Sequence, residues 1–570
     1  MNSIRKGIEN DIINYQYFFG TIIIWILLLS SQIYLLWDTP IWVFAPIILL
    51  SSFFTWEFSN SLLFQLKLLR SKTIELPSKN DHDLLEKYPD VAFILPSYHE
   101  PFEVAKMTFD SILDLEYPGI KEIIVVDNSR NIDSVDYKKW KKYVTSFVDD
   151  YDTVVKFIYN SKQEGLKPGN LDLAQKYTKS DYVVFLDIDS TLPKDGSFLQ
   201  KSVVEFLKDP SLGWIQFVAK PTNYLFNICS RAISTYQNLL RRTCYYKSQG
   251  GFTLFYGHNA IWRASCLKEL GPWFEKHKGQ IMVTEDILKC IRAYDKGYYG
   301  KGIPTNTGEW VPTSLSALES MWQRWTYGSC QVAGKHLKSI LGAKEMTFLE
   351  KYDLVYHIAL YWRYALLFPI IVLFNLLLPS ELSFLFISVL FVVPQVLNVI
   401  TMYKDQMFER PQNPWQKFVD IYNGAFVISN YLALVQLKGI YNFLFKVAKG
   451  WVVTPKGGEN ASSWFNIVRS QALYIIFVIL LVGSAVFSIL SKVENPVTGI
   501  LLYSPALFLA INLLLSVVVF GKSGRIETNS IQDATIDAIT NVGPVTPSRK
   551  LSSTRTTVLP TRQKGIGSAA

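Results

Sequence analysis

Apolar runs of membrane-spanning length dominate this 570-residue sequence. Two runs precede a long polar stretch and four follow it, at 18–37, 41–66, 354–378, 382–403, 471–490 and 499–520. Each run can cross the roughly 30 Å hydrocarbon core of a bilayer as a helix. Hydrophobic residues make up 49% of the chain and charged residues only 18%, which excludes a disordered chain and argues against a purely soluble protein. We therefore expect a polar domain inserted between membrane hairpins.

Basic residues collect on one side of these predicted spans. The links near 38–40, 379–381 and 491–497 contain a single basic residue, Lys492. The opposite side carries Lys67, Arg70, Lys72, Lys438, Lys446, Lys449, Lys522 and Arg525. Because Lys and Arg concentrate in cytoplasmic loops, we expect a multi-pass protein of the plasma membrane with both termini and the polar domain in the cytoplasm. The net charge is +9, but the basic residues lie next to the predicted spans rather than in a cluster on the polar domain. We therefore expect no nucleic-acid partner.

These patterns divide the chain into six segments. They are an N-terminal hairpin over 1–70, a polar domain over 71–350, a hairpin over 351–405, an interfacial helix and loop over 406–460, a hairpin over 461–522 and a tail over 523–570. The stretch 419–437 is apolar but contains Asp420 and Asn430, so we expect it to lie in the membrane interface. The stretch 224–246 fits an interfacial helix and a core helix equally well. The tail is rich in Ser, Thr, Pro and Gly, which predicts disorder.

Short β-branched runs alternate with helical patterns in the polar domain. The predicted strands cover 91–96, 122–127, 154–159 and 182–187, and the predicted helices between them include 102–115 and 171–177. Runs of this kind, apolar on both faces, are typical of a parallel sheet with crossover helices. The five cysteines lie in this region without metal-ligand spacing, so we expect reduced thiols.

Carboxylates stand at the ends of two of these strands. Asp127 ends one strand, and Asp187 and Asp189 end another. Ligands of open parallel sheets bind beyond the carboxyl ends of the strands. A pair of carboxylates there can hold Mg²⁺ or Mn²⁺, which in turn binds substrate phosphates. Asp also ends strands and begins turns for purely structural reasons, but two acidic strand ends in one sheet favour a functional site.

Three later motifs combine charged and aromatic residues. Thr284-Glu285-Asp286 precedes a predicted helix and is also a good helix start. The helical segment 321–325 contains Arg324 and Trp325, which would equally suit an interfacial anchor. The loop 451–458 contains Thr454, Lys456 and two glycines, a composition that suits either a phosphate clamp or a lipid-headgroup contact.

In this order, these residues resemble the processive, membrane-embedded family 2 glycosyltransferases, which include the cellulose, chitin and hyaluronan synthases. The similarity extends over roughly residues 15 to 520. It implies a GT-A-like α/β domain, with a mostly parallel sheet and crossover helices, inserted into a polytopic α-helical membrane domain. It also implies a nucleotide-sugar donor, a growing glycan as the acceptor, and a Mg²⁺ or Mn²⁺ cofactor.

The resemblance assigns donor-side roles to several residues. Asp127 would bind a uridine base, and Lys167 of Lys167-Pro168-Gly169-Asn170 would lie along the nucleotide. Asp187 and Asp189 would hold the metal on the diphosphate. Further members of the implied nucleotide-sugar site are Arg324, which would stabilise the departing diphosphate, and Thr454 and Lys456 of a gating loop.

The resemblance also assigns the catalytic and acceptor residues. Asp286 would be the general base, within the triplet that Thr284 and Glu285 complete. Trp325 would stack on the terminal acceptor sugar. His258 and Asn259 fall in the segment near the acceptor, although His258 also suits a structural hydrogen-bonding role.

Two features bear on the product. The loop Trp451–Lys456 is similar to the gating loop of cellulose synthases, which favours glucose from UDP-glucose and a β-glucan product. In contrast, Met321 stands where the family has the glutamine of Gln-x-x-Arg-Trp, and Gln323 would face another side of the helix. This difference concerns acceptor binding more than chemistry.

The sequence therefore predicts a processive inverting β-glycosyltransferase that passes its product across the membrane. UDP-N-acetylglucosamine or GDP-mannose as donor, a non-processive lipid-sugar transferase, and an inactive transferase-like transporter or scaffold remain as alternatives. Polar and aromatic residues in the predicted spans, namely Tyr361, Trp362, Arg363, Tyr364, Gln395 and Asn398, suit a polar path or an interface belt. Whether an envelope partner receives the product is left open.

Overall fold

The computed structural model describes residues 8–70, 85–147, 153–162, 164–248, 252–404, 413–447 and 464–521. Two long helices open the chain, α1 over Ile8–Leu35 and α2 over Ile41–Arg70. They form the predicted hairpin. Gln32 Nε2 on α1 donates to Thr55 Oγ1 on α2 at 2.7 Å, so the apolar pair also shares a buried polar contact.

The polar domain that follows alternates strands and helices. Its strands are β1 Val91–Ser97, β2 Lys121–Asp127, β3 Thr153–Tyr159, β4 Tyr182–Phe185, β5 Leu212–Pro221, β6 Ala260–Arg263, β7 Lys276–His277, β8 Gln280–Ile281 and β9 Tyr299–Glu309. Its helices are α3 Phe102–Leu113, α4 Val135–Thr145, α5 Leu166–Tyr177, α6 Ser197–Lys208, α7 Ile228–Ser248, α8 Ala264–Glu269, α9 Glu285–Asp295 and α10 Leu315–Gly342. The four predicted strands are confirmed as β1 to β4.

Seven strands form one sheet in the order β3-β2-β1-β4-β6-β5-β9. Strand β6 runs antiparallel to its neighbours β4 and β5, and the other pairings are parallel. In the parallel pair β1–β2, Ser97 lies beside Asp127 at the carboxyl edge. The predicted GT-A-like sheet with crossover helices is confirmed, and the reversed strand β6 adds the one exception to parallel order within it.

The sheet is buried on both faces, as its apolar runs predict. Successive residues of β1 alternate between two cores: Phe93 and Leu95 belong to the core that contains Phe109 and Trp140, while Ile94 belongs to the other. Burial on both sides explains why these strands read as continuous apolar runs rather than alternating ones.

The chain then returns to apolar helices. They are α11 Phe348–Leu360, α12 Leu367–Leu377, α13 Ser380–Ile387, α14 Val393–Lys404, α15 Pro414–Tyr422, α16 Ser429–Leu444, α17 Trp464–Ser470, α18 Ala472–Lys492 and α19 Pro496–Phe520. Short π-helical stretches, Ser388–Val392 and Asn423–Ile428, join α13 to α14 and α15 to α16. Within the described residues, six continuous helices are long and apolar enough to cross a membrane: Gln16–Leu35, Ile41–Arg70, Ser380–Lys404, Pro414–Leu444, Ala472–Lys492 and Pro496–Phe520.

The predicted third span, 354–378, differs from the structure because it is not one helix. Helix α11 ends at Leu360 and α12 begins at Leu367. Side chains from two other helices hydrogen-bond the backbone in the gap. Gln436 Nε2 donates to the Leu360 carbonyl at 3.2 Å and its Oε1 accepts from the Tyr364 N–H at 3.0 Å, while Thr326 Oγ1 donates to the Tyr361 carbonyl at 2.8 Å. This support from distant parts of the chain is invisible to a local hydropathy pattern.

The stretch expected to lie in the interface, 419–437, belongs to the continuous helix Pro414–Leu444. In the most apolar window of this helix, 72% of the residues are buried inside the protein. Its Val427, Tyr431 and Leu434 share a core with Trp322 of α10 and with helices α12, α18 and α19. The helix is thus covered by protein, and its position relative to a bilayer stays a prediction.

Helix α10 makes two unusually close contacts through glycines. A Cβ added at Gly328 would lie 2.4 Å from Thr284 Cγ2, at the start of α9. On the other side of α10, a Cβ added at Gly439 of α16 would lie 2.6 Å from Thr326 Cβ. Glu319 of α10 adds polar contacts, because it pairs with Lys438 and accepts from Tyr431 Oη at 2.9 Å. Helix α10 therefore joins the sheet domain to the apolar helices.

We expect Gly328→Ala to destabilise the protein, because the new methyl group has no room against Thr284. Overpacking of this kind typically costs about 1–3 kcal/mol. Thermal unfolding of the full chain in detergent should show a melting temperature lowered by several degrees. The control is Gly342→Ala at the end of the same helix, where no atom lies within 4 Å of the added Cβ. Equal melting temperatures for the two variants would contradict the close contact.

Candidate active site

A cavity of about 610 Å³ lies at the carboxyl edge of β1, β2 and β4. Its volume falls in the range typical of small-molecule sites. Most of the predicted site residues line it together, namely Lys167, Asp187, Asp189, His258, Thr284, Glu285, Asp286, Arg324 and Trp325. The structure thus brings residues from five separate stretches of sequence into one place.

The predicted pair Asp187 and Asp189 lies in a turn rather than in a strand. Strand β4 ends at Phe185, and the Ser190 N–H donates to the Asp187 carbonyl at 2.9 Å. In a continuing strand, the side chains of residues two apart would share one face of the sheet. Here the chain turns instead, and the carboxylates of Asp187 and Asp189 both line the cavity. The strand is therefore two residues shorter than the predicted 182–187.

The ammonium group of Lys167 lies among the carboxylates of the cavity. Its Nζ donates to Asp187 Oδ1 at 2.6 Å and to the Gly257 carbonyl at 3.2 Å, and it lies 4.0 Å from Glu285 Oε1. Burial by itself lowers the pKa of Lys167, but the carboxylates of Asp187 and Glu285 outweigh it and raise the pKa above its ordinary value. The cavity therefore contains a fixed positive charge.

The acidic first turn of α9 faces the same cavity. Thr284 precedes the helix without making a side-chain capping bond, and Asp286 Oδ1 accepts from the Ile287 N–H at 2.8 Å. Burial raises the pKa of Glu285 and of Asp286, while Lys167 and Arg324 oppose that rise. Two adjacent carboxylates in a recessed site are thus harder to ionise than exposed ones.

Asp127 lies beneath the cavity surface rather than on it. It is 2% exposed, accepts a short hydrogen bond from Ser97 Oγ and accepts from the Ser129 N–H at 2.8 Å. Burial raises its pKa, and both donors partly offset the rise. The nearby wall is formed by Ser97, Asn128 and Arg130.

A chain of asparagines, which sequence reasoning largely missed, fixes this end of the site. Asn160 Nδ2 donates to Asn170 Oδ1 at 2.9 Å, and Asn170 Nδ2 donates to Asn128 Oδ1 at 3.0 Å. These bonds tie together the loops after β2 and β3 and the first turns of α5. The position of each asparagine just past a strand or helix start is the only sequence signal for the network.

Both ring nitrogens of His258 lie close to polar groups. Its Nδ1 lies 2.8 Å from Asn259 Nδ2, and its Nε2 lies 3.0 Å from Glu309 Oε2. Burial lowers the pKa of His258, which favours the neutral ring. Glu309 also pairs with Arg241. Asn259 is fully buried and does not line the cavity. Its contact with an acceptor stays a prediction, and its burial argues against that contact.

Helix α10 presents Met321, Arg324 and Trp325 to the cavity. Gln323 points elsewhere, as helical spacing predicts: its Nε2 donates to Glu319 at 2.7 Å, and its Oε1 accepts from Asn442 at 3.2 Å. Arg324 faces the acidic turn of α9, whose carboxylates counter the lowering of the arginine pKa by burial. Thr454 and Lys456, predicted to clamp the nucleotide, lie outside the described residues.

The cations and acids of the cavity suit a phosphorylated ligand with a hard metal ion. Among the described residues, no cluster of three or more His, Cys, Asp or Glu side chains could hold a metal by itself. Asp187 and Asp189 nevertheless offer two carboxylates on one cavity wall. This set fits Mg²⁺ or Mn²⁺, which bind few protein carboxylates and complete their coordination with water and phosphate oxygens.

Two smaller cavities lie next to this one and share lining residues with it. The first, of about 150 Å³, shares Tyr256, His258, Asp286 and Trp325 with the main cavity. The next, of about 180 Å³, shares Tyr256 and His357 with the first and reaches α2, α14 and α16. Of the residues predicted to line a polar path, the second cavity has Tyr361 and the third has Arg363, Tyr364, Gln395 and Asn398; Trp362 lines none of the three.

Comparison with known families gives two overlapping matches. Residues 92–271 match the model for glycosyl transferase family 2, and residues 182–403 match the model for glycosyl transferase family group 2. Together the matches contain every predicted site residue that the structure describes.

Curated relatives include probable glucomannan 4-beta-mannosyltransferases of Oryza sativa subsp. japonica. Probable glucomannan 4-beta-mannosyltransferase 7 is 23% identical over 394 residues, which cover 66% of this chain and 63% of the relative. Probable glucomannan 4-beta-mannosyltransferase 3 is 23% identical over 435 residues, which cover 68% of this chain and 72% of the relative. The chain thus spans less than two thirds of the first of these relatives.

Among solved structures, one similar protein is the mannosyltransferase PcManGT from Pyrobaculum calidifontis in complex with GDP-Man and Mn²⁺. It is 15% identical, with a TM-score of 0.41, over 70% of this chain and 99% of that one. A TM-score this low carries no conclusion about ligands. The family matches agree with the sheet and its acidic strand ends, and the predicted resemblance of this part of the chain to the family 2 glycosyltransferases is confirmed.

Proposed function

We propose that this enzyme is a processive, inverting β-hexosyltransferase that extends a polysaccharide and passes it between its apolar helices. The observation that carries the proposal is one cavity lined by Asp286, Lys167, Asp187 and Arg324, with two further cavities beside it. A base, a set of cations and an exit path are what repeated transfer to a growing chain requires.

On the donor side, the positive groups of the cavity suit a nucleoside diphosphate sugar. Lys167 and Arg324 would bind the diphosphate, and the fixed guanidinium of Arg324 would stabilise the charge that develops as it leaves. Asp187 and Asp189 would hold Mg²⁺ or Mn²⁺, which when bound neutralises the diphosphate and eases its departure. The residues Ser97, Asn128 and Arg130 lie where a nucleobase would reach.

On the acceptor side, Asp286 would act as the general base. Its carboxylate takes the proton of an acceptor hydroxyl as that oxygen forms a bond to the anomeric carbon. The bond from this carbon to the diphosphate breaks, and the nucleoside diphosphate leaves with the electron pair. Attack from the opposite face inverts the configuration, so an α-linked donor gives a β-linkage. A pKa raised by burial supports this role, because a base with a higher pKa accepts a proton more readily.

The curated relatives support mannose rather than glucose as the transferred sugar. Four of them are probable glucomannan 4-beta-mannosyltransferases. The expected UDP-glucose donor and β-glucan product have no such support, and Asp127, predicted to bind uridine, is buried and bonded to Ser97. We therefore propose a nucleoside diphosphate mannose as the preferred donor and a β-linked mannan or glucomannan as the product.

The test is release of nucleoside diphosphate by the full chain in nanodiscs with Mg²⁺ or Mn²⁺. GDP-mannose, UDP-glucose and UDP-N-acetylglucosamine are offered separately, and the product is treated with β-mannanase and β-glucanase. We expect turnover with GDP-mannose and a polymer cut by β-mannanase. A β-glucanase-sensitive polymer from UDP-glucose would overturn the choice of donor. Transfer of a single sugar to lipid, or no turnover with any donor, would overturn the processive function.

We expect Asp286→Asn to lower turnover at least about 100-fold, the usual contribution of a general base. Binding of the nucleoside diphosphate, measured by calorimetry, should remain because the cations are untouched. The matched control is Asp295→Asn at the exposed far end of the same helix, which should turn over like the wild type. Loss of nucleotide binding in parallel with turnover would mean that Asp286 is not the base.

The pH dependence of kcat/KM should report the raised pKa of Asp286. The base works only when ionised, so activity falls as the pH is lowered through this pKa. Because burial raises the pKa, we expect the acid limb at a higher pH than for an exposed aspartate, near 3.9. Glu285→Gln removes an adjacent negative charge and should move the limb to lower pH. An acid limb unmoved by this substitution would contradict the coupling of the two carboxylates.

A further inference from the structure

Residues 256–259 form a loop, here called the active-site loop, whose backbone lies against Asp286 and Lys167. A Cβ added at Gly257, whose φ is +86°, would lie 3.4 Å from Asp286 Oδ2 and 3.6 Å from Lys167 Nζ. The Gly257 carbonyl accepts from Lys167 Nζ at 3.2 Å. This backbone therefore touches the two side chains to which the proposed function gives proton transfer and diphosphate binding.

The pairing of the sheet ends before the chain reaches Gly257. The last residue pair of the antiparallel strands β5 and β6 is Gln216 with Ala260, and the Phe217 N–H still donates to the Asn259 carbonyl at 2.8 Å. Asn259 and Gly257 then have positive φ angles of 49° and 86°, so the chain leaves the direction of the strand. The conformation of the active-site loop therefore depends on side chains.

The side-chain amide of Gln216 bonds the backbone of this loop on both sides of Gly257. Its Nε2 donates to the His258 carbonyl at 3.0 Å and to the Asn259 carbonyl at 2.9 Å. Its Oε1 accepts from the Tyr256 N–H at 3.0 Å. Gln216 is only 5% exposed, and backbone groups that lose a partner at such depth are costly. These bonds fix the direction in which the Gly257 carbonyl points.

Lys167 needs a fixed acceptor because carboxylates attract it from more than one side. Its Nζ donates to Asp187 Oδ1 at 2.6 Å and lies 4.0 Å from Glu285 Oε1. A lysine carries a compact charge on a long flexible stem, so charge attraction alone leaves its position loosely defined. A neutral carbonyl in a fixed place adds a directional bond and holds the ammonium in the cavity.

We propose that Gln216 is a positioning residue for donor binding, which fixes the active-site loop so that the Gly257 carbonyl holds Lys167 in place for the diphosphate. Gln216 does not line the main cavity, so its effect passes through the loop. The inference rests on the proposed function, which gives Lys167 its role at the diphosphate. His258 and Glu309, 3.0 Å apart, hold the same loop by a side chain, so loss of the Gln216 amide should loosen the loop rather than unfold it.

The test is calorimetric binding of GDP and of UDP, each with Mg²⁺, to the full chain in nanodiscs. Gln216→Met keeps the size of the side chain and removes its hydrogen bonds. We expect it to weaken nucleotide binding about tenfold, the order of one hydrogen bond to a charged group. Lys167→Met should weaken binding at least as much. Because Gln216 acts through Lys167, the double variant should bind no more weakly than Lys167→Met alone.

The control is Gln436→Met, which removes another amide bonded to backbone groups, those of Leu360 and Tyr364, and does not line the main cavity. It should bind nucleotide like the wild type. A second variant, Gly257→Ala, keeps the test decisive if Gln216→Met does not fold. A positive φ disfavours any side chain, so this substitution turns the carbonyl directly, and its effect should also disappear when Lys167 is replaced by Met.

The possible outcomes separate this inference from the proposed function. Wild-type binding by Gln216→Met and Gly257→Ala would overturn the inference. Weakening of the same size with and without Lys167 would also overturn it, since a general loss of structure acts in that way. Both results leave the proposed function standing. Lys167→Met binding as tightly as the wild type would refute the role of Lys167 at the diphosphate, and a wild type that binds neither nucleotide would refute the proposed function itself.

Discussion

The close approach of α10 to both α9 and α16 is the constraint on which the rest of the structure depends. Gly328 lets α10 lie against Thr284, beside the acidic turn, and Gly439 lets α16 lie against Thr326. Immediately before these contacts in the chain, α10 presents Arg324 and Trp325 to the cavity. One helix therefore fixes the position of the sheet domain relative to the apolar helices. A shift of α10 would move Arg324 relative to Asp286.

The features that the sequence predicts well are those fixed by local pattern. Strands β1 to β4 are continuous apolar runs because both faces of the sheet are buried, and their parallel order brings the residues after them to one edge. The pattern predicts Asp187 and Asp189 at that edge, the family resemblance adds Lys167, and the structure brings the three together. The face of α10 was also predictable, since helical spacing separates Gln323 from Arg324.

The features that the sequence hides depend on distant partners. Strands β5, β6 and β9 were not foreseen, and β6 runs against its neighbours, because their places depend on pairing across the sheet. His258 contacts Glu309, which lies at the end of strand β9, about fifty residues later in the sequence. The carboxylate of Asp127 accepts a hydrogen bond from Ser97 of the adjacent strand β1, and its contact with a nucleobase stays a prediction. In each case a neighbour in space, rather than in sequence, decides the role.

The gap between α11 and α12 has a consequence for how the protein meets lipid. Helix α12 has 11 residues, about 16 Å at 1.5 Å per residue, which is roughly half the hydrocarbon thickness. If the chain crosses a bilayer here, as the sequence predicts, the turns before α12 would occupy part of the remaining depth, and their backbone carbonyls accept from Gln436 and Thr326. Irregular backbone is tolerated at this depth only where protein covers it. We therefore expect acyl-chain length to act on the outer helices and to leave the geometry of this inner wall unchanged in thin and thick bilayers alike.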